Sequence, residues 1–311
     1  MEKFSLKGHG SMLLANVSWG LMSPLAKVVM AGGVVTPLVL TDMRIFGAMV
    51  LFWIMSAFSK PEHVPPHDML RLFAASLLAI VLNQGSFIMG VGLSSPADAS
   101  IITTSMPLWA MILAAVVLKE PVTGKKVAGI ALGACGALML ILGSGVGNAS
   151  AVDARHVAGD LLVLFAQLSY ASYLVLFKNF VSRYSLVTVM KWMFTYSFLC
   201  TLPFSYTSLA AMRWTALSAA TWGSVAFIVV MGTFVSYMLI VVGQKCLRPT
   251  VAGMYNYVQP VVACIVAVCL GLDSFNAMKG VAVVLIFGGV FLVTASKSRA
   301  QEVSESRQAG R

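Results

Sequence analysis

The chain has 311 residues, of which 59% are hydrophobic and 10% are charged, and its formal net charge is +10. Soluble globular domains carry about 25% charged residues, so the composition excludes an ordinary soluble protein and indicates one that crosses a membrane several times. The basic balance does not predict nucleic-acid binding, because Lys and Arg left on the cytoplasmic side give membrane proteins the same sign of charge.

Apolar runs divide the chain into ten predicted membrane helices. Each run is about 18 to 25 residues long, enough to cross a ~30 Å hydrocarbon core as a helix. The runs lie near residues 11–31, 36–58, 70–91, 97–118, 126–143, 159–180, 186–207, 217–241, 250–271 and 278–296. No A-x-A cleavage site follows the first run, so this run is expected to stay in the protein. Polar segments at 59–69, 144–158 and 208–216 are expected to be surface connections.

The distribution of Lys and Arg predicts the orientation of the chain. With a cytoplasmic N-terminus, fifteen of these residues fall on the cytoplasmic side, three on the outer side and three within predicted spans. Cytoplasmic loops of membrane proteins carry such an excess of positive charge. Both termini are therefore expected in the cytoplasm, with the helices in a plasma membrane or a bacterial inner membrane.

The second half of the chain repeats the first. Shifting residues 90–136 by 153 positions gives ten identities with residues 243–289, where so apolar a composition gives roughly four by chance. Five spans in each copy is an odd number, so the second copy enters the membrane from the opposite side. The sequence thus predicts an all-α integral membrane protein with ten transmembrane helices as two inverted five-helix repeats, the architecture of many secondary transporters. The predicted units are residues 1–145, residues 156–296 and a disordered cytoplasmic tail, 297–311.

Sequence patterns of enzymes and metal sites are missing. All four histidines lie outside the predicted spans, and Pro65 and Pro66 interrupt the helix that His63 and His67 would need to bind zinc as a pair. The five cysteines have no paired ligand spacing, and no Walker loop occurs. We therefore expect no catalytic activity, no cofactor and no bound metal.

A set of residues in the first copy resembles a known transporter family. The set is Ser18, Trp19, Gly20, Lys27, Arg44, Pro107, Lys119, Glu120, Gly129 and Gly136. It resembles the EamA unit of the drug/metabolite transporter superfamily. The second copy departs from this unit with Tyr170-Ala171, Lys191 and Asp273. The resemblance implies ten helices with cytoplasmic termini and transport, often export, of small organic solutes such as amino acids.

Charged side chains inside the predicted spans indicate a polar site. Such a charge costs at least ~2.5 to 3.5 kcal/mol on insertion scales, so it normally faces a cavity or a partner. Arg44 is expected either to line a central cavity, where it binds a carboxylate or gates access, or to bond carbonyls of a neighbouring helix. Lys191 lies near a helix end and is expected to reach the headgroups.

Polar stripes on the first and sixth predicted helices match each other. Stripes in two inverted copies fit one shared cavity, although interhelical hydrogen bonds and interfacial aromatic residues give the same pattern. Asn83, Gln84 and Tyr237 are further candidates for the cavity wall. The predicted solute-binding residues are Asn16, Trp19, Lys27, Arg44, Trp109, Gln167, Tyr170, Tyr255 and Gln259.

Asp42, Asp98 and Asp160 are the acids within predicted spans and so the candidates for coupling transport to a proton. Asp98 and Asp160 are expected in the first turn of their helices, where the helix dipole alone favours an anion. Their position therefore leaves a purely structural role open.

Proline and small residues predict features of individual helices. Pro107 and Pro260 are expected about ten residues into a helix, where each bends the helix or acts as a hinge. Gly129 and Gly133 give the fifth helix a small-xxx-small face, which fits either packing within the fold or a homodimer contact.

The function predicted from the sequence is secondary transport, in the export direction, of small organic metabolites such as amino acids across the cell membrane. The expected partners are a small-molecule solute and the lipid bilayer. Two alternatives stay open: a passive facilitator of small solutes, and a membrane receptor or assembly subunit that transports nothing.

Overall fold

The structure is a computed structural model that describes residues 2–119, 124–143, 154–247, 255–274 and 276–294. The first half contains α1 (Glu2–Ala31), α2 (Pro37–Ala57), α3 (Pro66–Ser76), α4 (Asn83–Leu93), α5 (Pro96–Thr103), α6 (Met106–Val117) and α7 (Gly124–Gly143). The second half contains α8 (Ala154–Val181), α9 (Leu186–Ala211), α10 (Ala219–Val229), α11 (Ser236–Cys246), α12 (Val258–Cys269) and α13 (Ala277–Thr294). Glu120 and the predicted tail, 297–311, lie outside the described residues.

Long apolar helical segments make this chain a multi-pass membrane protein. Large apolar side chains such as Leu70, Phe204 and Val284 are at least 70% exposed, which is stable against lipid but not against water. Two shorter apolar helices are Tyr255–Cys269 and Ala277–Leu292. The segments long and apolar enough to cross a membrane are Leu6–Ala31, Pro37–Ala57, Pro66–Leu93, Pro96–Val117, Ala154–Phe177 and Ala219–Cys246.

Two π-helices interrupt the long apolar segments. Leu77–Leu82 joins α3 to α4, and Val230–Val235 joins α10 to α11. The two π-helices lie 153 positions apart, which is the shift that aligns the sequence repeat. A π turn is rare and widens the backbone locally, and such turns often occur at functional sites.

The fourth predicted helix is broken in two. α5 ends at Thr103 and α6 begins at Met106, so the run predicted at 97–118 is not one continuous helix. Pro107 lies in the first turn of α6, and Pro260 lies in the first turn of α12 after the 3₁₀ turn Tyr255–Tyr257. The prediction that these prolines bend a helix interior was wrong, because a proline in the first turn removes no intrahelical hydrogen bond.

Two predicted connections are partly helical. α3 begins at Pro66 inside the connection expected at 59–69, and α8 begins at Ala154 inside the connection expected at 144–158. Proline is favoured at the first position of a helix, so Pro66 starts α3 rather than preventing it.

Helix packing pairs the two halves with each other. α1 packs on α11 and α12, and α8 packs on α4 and α6. α2 packs on α9, and α7 packs on α13. When each helix is replaced by its counterpart in the other half, the contacts of α1 become those of α8. The pairs α2–α9 and α7–α13 are unchanged by this replacement. The first helix of each half therefore lies against the third and fourth segments of the other half.

Glycines allow the closest of these contacts. A Cβ atom on Gly159 would lie 2.8 Å from the Gly90 carbonyl oxygen, so α4 and α8 touch at their backbones. A Cβ atom on Gly289 would lie 2.7 Å from the Gly133 nitrogen. The small face of α7 that contains Gly133 is therefore covered by α13 within the chain, which is packing rather than a contact with a second copy.

Candidate solute-binding cavity

A cavity of about 650 Å³ lies between the two halves. Its aromatic lining residues are Trp19, Phe87, Tyr170, Tyr237, Tyr257 and Phe291. Its amide lining residues are Asn83, Gln84, Gln167, Asn256 and Gln259. Arg44 is the one charged side chain among the described residues that line it. A largely apolar cavity of this size with a few polar groups is typical of sites for small organic molecules.

The structure brings five of the nine predicted solute-binding residues to this cavity: Trp19, Arg44, Gln167, Tyr170 and Gln259. Asn83, Gln84 and Tyr237, the further candidates from the sequence, also line it. Phe87, Asn256 and Tyr257 were not predicted. Asn256 and Tyr257 come from the 3₁₀ turn before α12, which the sequence had placed within a regular helix.

The other four predicted residues lie outside the cavity lining. Lys27 donates hydrogen bonds to the carbonyl oxygens of Val91, Gly92 and Ser94, at 3.0, 3.0 and 2.7 Å. The carbonyls of Val91 and Gly92 lie in the last turn of α4 and that of Ser94 follows it, so Lys27 stabilises a helix C-terminus. Trp109 is not among the described lining residues.

Asn16 and Tyr255 form hydrogen bonds next to the cavity without lining it. The buried Asn16 side chain accepts a hydrogen bond of 2.8 Å from Gln259 Nε2, which orients the Gln259 amide at the cavity wall. The Tyr255 hydroxyl lies 2.7 Å from His9 Nδ1. These two residues therefore join α1 to the start of the segment that contains α12.

Arg44 is held at the cavity by the second π-helix. Its Nε donates a hydrogen bond of 2.7 Å to Thr233 Oγ1, and its side chain is 4% exposed. No carboxylate in the described ranges forms an ion pair with it. Among the described residues, the guanidinium is thus a buried positive charge at the cavity without an ion-pair partner, and whether it binds a solute stays a prediction.

The π-helices position several other cavity residues. The indole Nε1 of Trp19 donates a 3.0 Å hydrogen bond to the Gly232 carbonyl oxygen, which the widened turn makes accessible. Asn83 and Gln84 begin α4 directly after the first π-helix. The Gln84 Nε2 donates to the Tyr237 hydroxyl at 3.4 Å, and Tyr237 follows the second π-helix.

Lys191 belongs to a different part of the membrane region. Its Nζ donates a 2.8 Å hydrogen bond to Ser56 Oγ and lies 4.9 Å from the centre of the Trp53 ring. Trp53 is 40% exposed, so this group lies at the lipid-facing surface between α2 and α9. Lys191 is therefore held by a hydroxyl and by aromatic faces, away from the cavity.

A second polar group joins the ends of α4, α5, α8 and α13. We call it the Asp98 cluster, and it consists of Ser94, Asp98, His156, Asp160, Asp273 and Lys279. The His156 Nε2 lies 3.1 Å from Asp98 Oδ2, and the Lys279 Nζ lies 3.1 Å from Asp98 Oδ1. Asp98 and Asp160 are fully buried. Burying charges is tolerable when they are paired in this way.

Two predictions about this region were wrong. Asp160 is the seventh residue of α8 rather than a residue of its first turn, because the helix begins at Ala154. His156, expected in a surface connection, lies in the first turn of α8 and contacts two buried acids. Asp98 does lie in the first turn of α5, where the Ser95 hydroxyl caps the helix.

Asp42, the third coupling candidate, has different surroundings. It is 1% exposed, lies beside Thr201 on α9, and neither carboxylate oxygen has a hydrogen-bond partner in the described ranges. It lines neither the cavity nor the Asp98 cluster. The structure therefore separates the three candidate acids into two environments.

Comparisons with known proteins identify relatives of both halves. The model of the EamA-like transporter family matches residues 6–142 and again residues 157–295. The uncharacterized transporter YetK of Bacillus subtilis (strain 168) is 22% identical over 251 residues, covering 81% of this chain and 74% of its own length. An uncharacterized transporter of Archaeoglobus fulgidus is 23% identical over 206 residues, covering 65% of this chain and 68% of its own. A solved crystal structure shares the fold with a TM-score of 0.60 at 16% identity, covering 94% of this chain and 97% of its own.

Proposed function

Because the chain belongs to the EamA-like transporter family, we propose that it is a secondary transporter that exports small organic metabolites such as amino acids. In this proposal ten helical segments cross the membrane as two inverted repeats with both termini in the cytoplasm. The matched π-helices and the packing pairs that survive exchange of the halves support the repeat. The excess of Lys and Arg on one side supports the orientation.

The cavity between the halves carries the proposal. It contains residues from α1, α2, α4, α8 and α11, so both repeats contribute to one site, as alternating access requires. Its volume of about 650 Å³ accommodates an amino acid or a metabolite of similar size. An assembly subunit has no need of an internal cavity built from both halves.

Arg44 gives the cavity a preference for a negative group. It is the one charged side chain in the described lining, and its guanidinium suits a carboxylate in bidentate geometry. The Gln84 Oε1 is buried at the cavity without a hydrogen-bond partner in the described part of the chain. This oxygen is a position for a solute ammonium or hydroxyl. Together the two side chains provide complementary groups for an amino acid.

Aromatic residues supply the remaining contacts. Trp19 and Tyr237 meet edge to face with their ring centres 6.3 Å apart, and this contact fixes the orientation of both rings at the cavity wall. Such faces stack on an apolar solute body and attract a cationic group. An amphipathic solute therefore fits the lining better than a strongly hydrophilic sugar.

A flux assay tests the proposed function. Purified protein is reconstituted into liposomes, and the liposomes are loaded with a pool of amino acids, nucleosides and small organic acids. Release of each solute is followed with and without a pH gradient. The wild type is expected to release one or a few carboxylate-bearing solutes. Arg44→Ala is expected to reduce that release at least about tenfold, the size of one lost charge-assisted hydrogen bond at ~1.5 kcal/mol.

Lys191→Ala is the matched control, because it also removes an intramembrane cation but one that lies outside the cavity. Its flux is expected to equal that of the wild type. Release that equilibrates the solute and ignores a pH gradient would support the passive facilitator. Absence of flux for every solute in folded protein would support the receptor instead.

A further inference from the structure

The Asp98 cluster lies where the two halves meet at one end of the bundle. Ser94 and Asp98 come from the first half, while His156, Asp160 and Lys279 come from the second. Lys27, near the C-terminal end of α1, binds the carbonyl oxygen of Ser94 at 2.7 Å. In the same place Gly90 and Gly159 bring α4 and α8 into backbone contact. Opening this end of the bundle requires the cluster to separate.

The hydrogen bonds of the cluster define which atom of His156 exchanges a proton. The Ser94 hydroxyl donates its proton to Asp160 and lies 3.1 Å from His156 Nε2. It can therefore only accept from that nitrogen, as can Asp98 Oδ2 at 3.1 Å. The Nε2 atom thus keeps its hydrogen, and Nδ1 is the atom that takes up or releases a proton. The His156 side chain is 21% exposed, and in the proposed orientation it lies at the outer end of the bundle.

Charged groups on α5, α8 and α13 act on His156, whereas the contact next to α4 is the neutral Ser94 hydroxyl. Asp98 on α5 and Asp160 on α8 are the nearest, with the Asp160 Oδ2 at 4.0 Å. Lys279 on α13 binds the other oxygen of Asp98 and both oxygens of Asp273. Arg155 and Asp273 act electrostatically on Lys27 at the end of α1. The carboxylates of Asp98 and Asp160, at 3.1 and 4.0 Å, favour a positive charge on the imidazole, whereas the Lys279 ammonium opposes it.

We infer that the Asp98 cluster is a proton-binding site whose protonated form keeps the outer end of the transport pathway closed. This rests on the proposed orientation, in which the end of α1 and the start of α8 face the outside. One proton from the outer solution adds to Nδ1 of His156 and produces an imidazolium ion between Asp98 and Asp160.

The sign of the pH effect follows from the charges. The imidazolium form attracts both carboxylates and thereby holds α5 and α8 together, whereas the neutral ring retains only its hydrogen bonds. The closed outer end is therefore most stable in acid, where His156 is protonated. That stability is lost as the outer pH rises and His156 releases its proton. A transporter with this site opens outward more often at higher outer pH.

Distance measurement between spin labels tests the inference without any solute. Labels are placed at Ala31→Cys and Ala158→Cys, two exposed positions at the ends of α1 and α8, in protein embedded in lipid nanodiscs. The native cysteines are first replaced by serine at Cys135, Cys200, Cys246, Cys264 and Cys269. When the pH is raised from about 5.5 to about 8, the distance distribution of the wild type is expected to gain a component at longer distance.

Substitutions identify the group responsible. His156→Gln keeps a hydrogen-bond donor but no ionisable nitrogen, so it is expected to show the longer component at both pH values. His67→Gln is the matched control, because His67 is an exposed histidine that contacts one acid, Asp68, at 3.2 Å. It is expected to keep the wild-type response to pH.

Three results would overturn the inference. The first is a distance distribution that does not change with pH in the wild type, and the second is one that changes equally in His156→Gln. The third is a distribution that responds to added Zn²⁺ at constant pH and not to pH itself, since Asp98, His156 and Asp160 also place ligand atoms within 4.8 Å of one another. Failure of the flux assay leaves the distance result standing, so the two proposals fail separately.

Discussion

The three acidic residues that lie within predicted membrane spans, Asp42, Asp98 and Asp160, have different surroundings in the structure. Asp98 and Asp160 are buried with a histidine, a lysine and a serine as partners, whereas Asp42 is buried beside Thr201 without a hydrogen bond in the described ranges. A buried charge needs partners, so the surroundings of Asp98 and Asp160 stabilise the ionised carboxylate, whereas those of Asp42 favour the neutral carboxyl group.

Asparagine substitutions are expected to separate these environments. Asp42→Asn replaces a carboxyl group that lacks donors with a neutral isostere, so the apparent Tm is expected to stay the same or to rise. Asp98→Asn removes the ion pairs with His156 and Lys279, and it is expected to lower stability by about 3 to 5 kcal/mol, the range for breaking a buried pair. Thermal unfolding of both variants in detergent checks this. A large loss in Asp42→Asn would show that Asp42 is charged and bound by a partner.

At the scale of single residues, sequence patterns identified which side chains have polar surroundings, but they did not identify the groups that these side chains contact. Trp19 and Lys27 both lie on the polar stripe of the first helix, but Lys27 binds the carbonyls that end α4. The stripe could not distinguish a cavity from a helix end, because both offer a polar target at membrane depth. The Asp98 cluster was missed since His156 and Asp98 are far apart in the sequence and the start of α8 was misplaced.

At the scale of helices, Gly20 determines how closely α1 approaches α12. A Cβ atom at this position would lie 2.7 Å from the Gln259 carbonyl oxygen and 2.8 Å from the Val262 side chain. The carbonyl belongs to backbone and cannot rotate away. Gly20 therefore allows Asn16 on the same helix to reach Gln259 and orient its amide at the cavity.

Gly20→Ala is expected to destabilise the protein by about 1 to 3 kcal/mol, because the added methyl group forces α1 and α12 apart. Gly85→Ala is the control: Gly85 lies in α4 with open space around the added atom, so alanine is expected to stabilise the helix by roughly 0.5 to 1 kcal/mol. Thermal unfolding and solute binding measure both effects. Equal destabilisation by the two substitutions would contradict the contact between α1 and α12.

The broken and widened helices show what hydropathy cannot predict. Apolar composition located the long helical segments, but residues 97–118 and 70–91 are apolar on average whether or not the helix is continuous. A break at Thr104 or a π-helix at Leu77–Leu82 changes hydrogen bonding and leaves hydropathy unchanged. Both features adjoin the cavity, where irregular backbone has polar partners available.

At the scale of the whole molecule, the two halves are similar in architecture and different in chemistry at their ends. The repeat aligns His9 with Asp160 at a shift of 151 positions. His9 meets the neutral Tyr255 hydroxyl at 2.7 Å, while Asp160 belongs to the ionic Asp98 cluster. If the Asp98 cluster binds a proton as inferred above, these unequal end contacts make the response of the two halves to pH unequal as well.

The proposed orientation makes a direct prediction about the loops. Lys60 and Arg213 are exposed residues in connections that should face opposite sides of the membrane, Lys60 the cytoplasm and Arg213 the outside. In a protein without native cysteines, Arg213→Cys is expected to react with a membrane-impermeant maleimide added to intact cells. Lys60→Cys is expected to react only after the membrane is permeabilised. The reverse pattern would place both termini outside, and the Asp98 cluster would then sense the pH of the cytoplasm rather than that of the exterior.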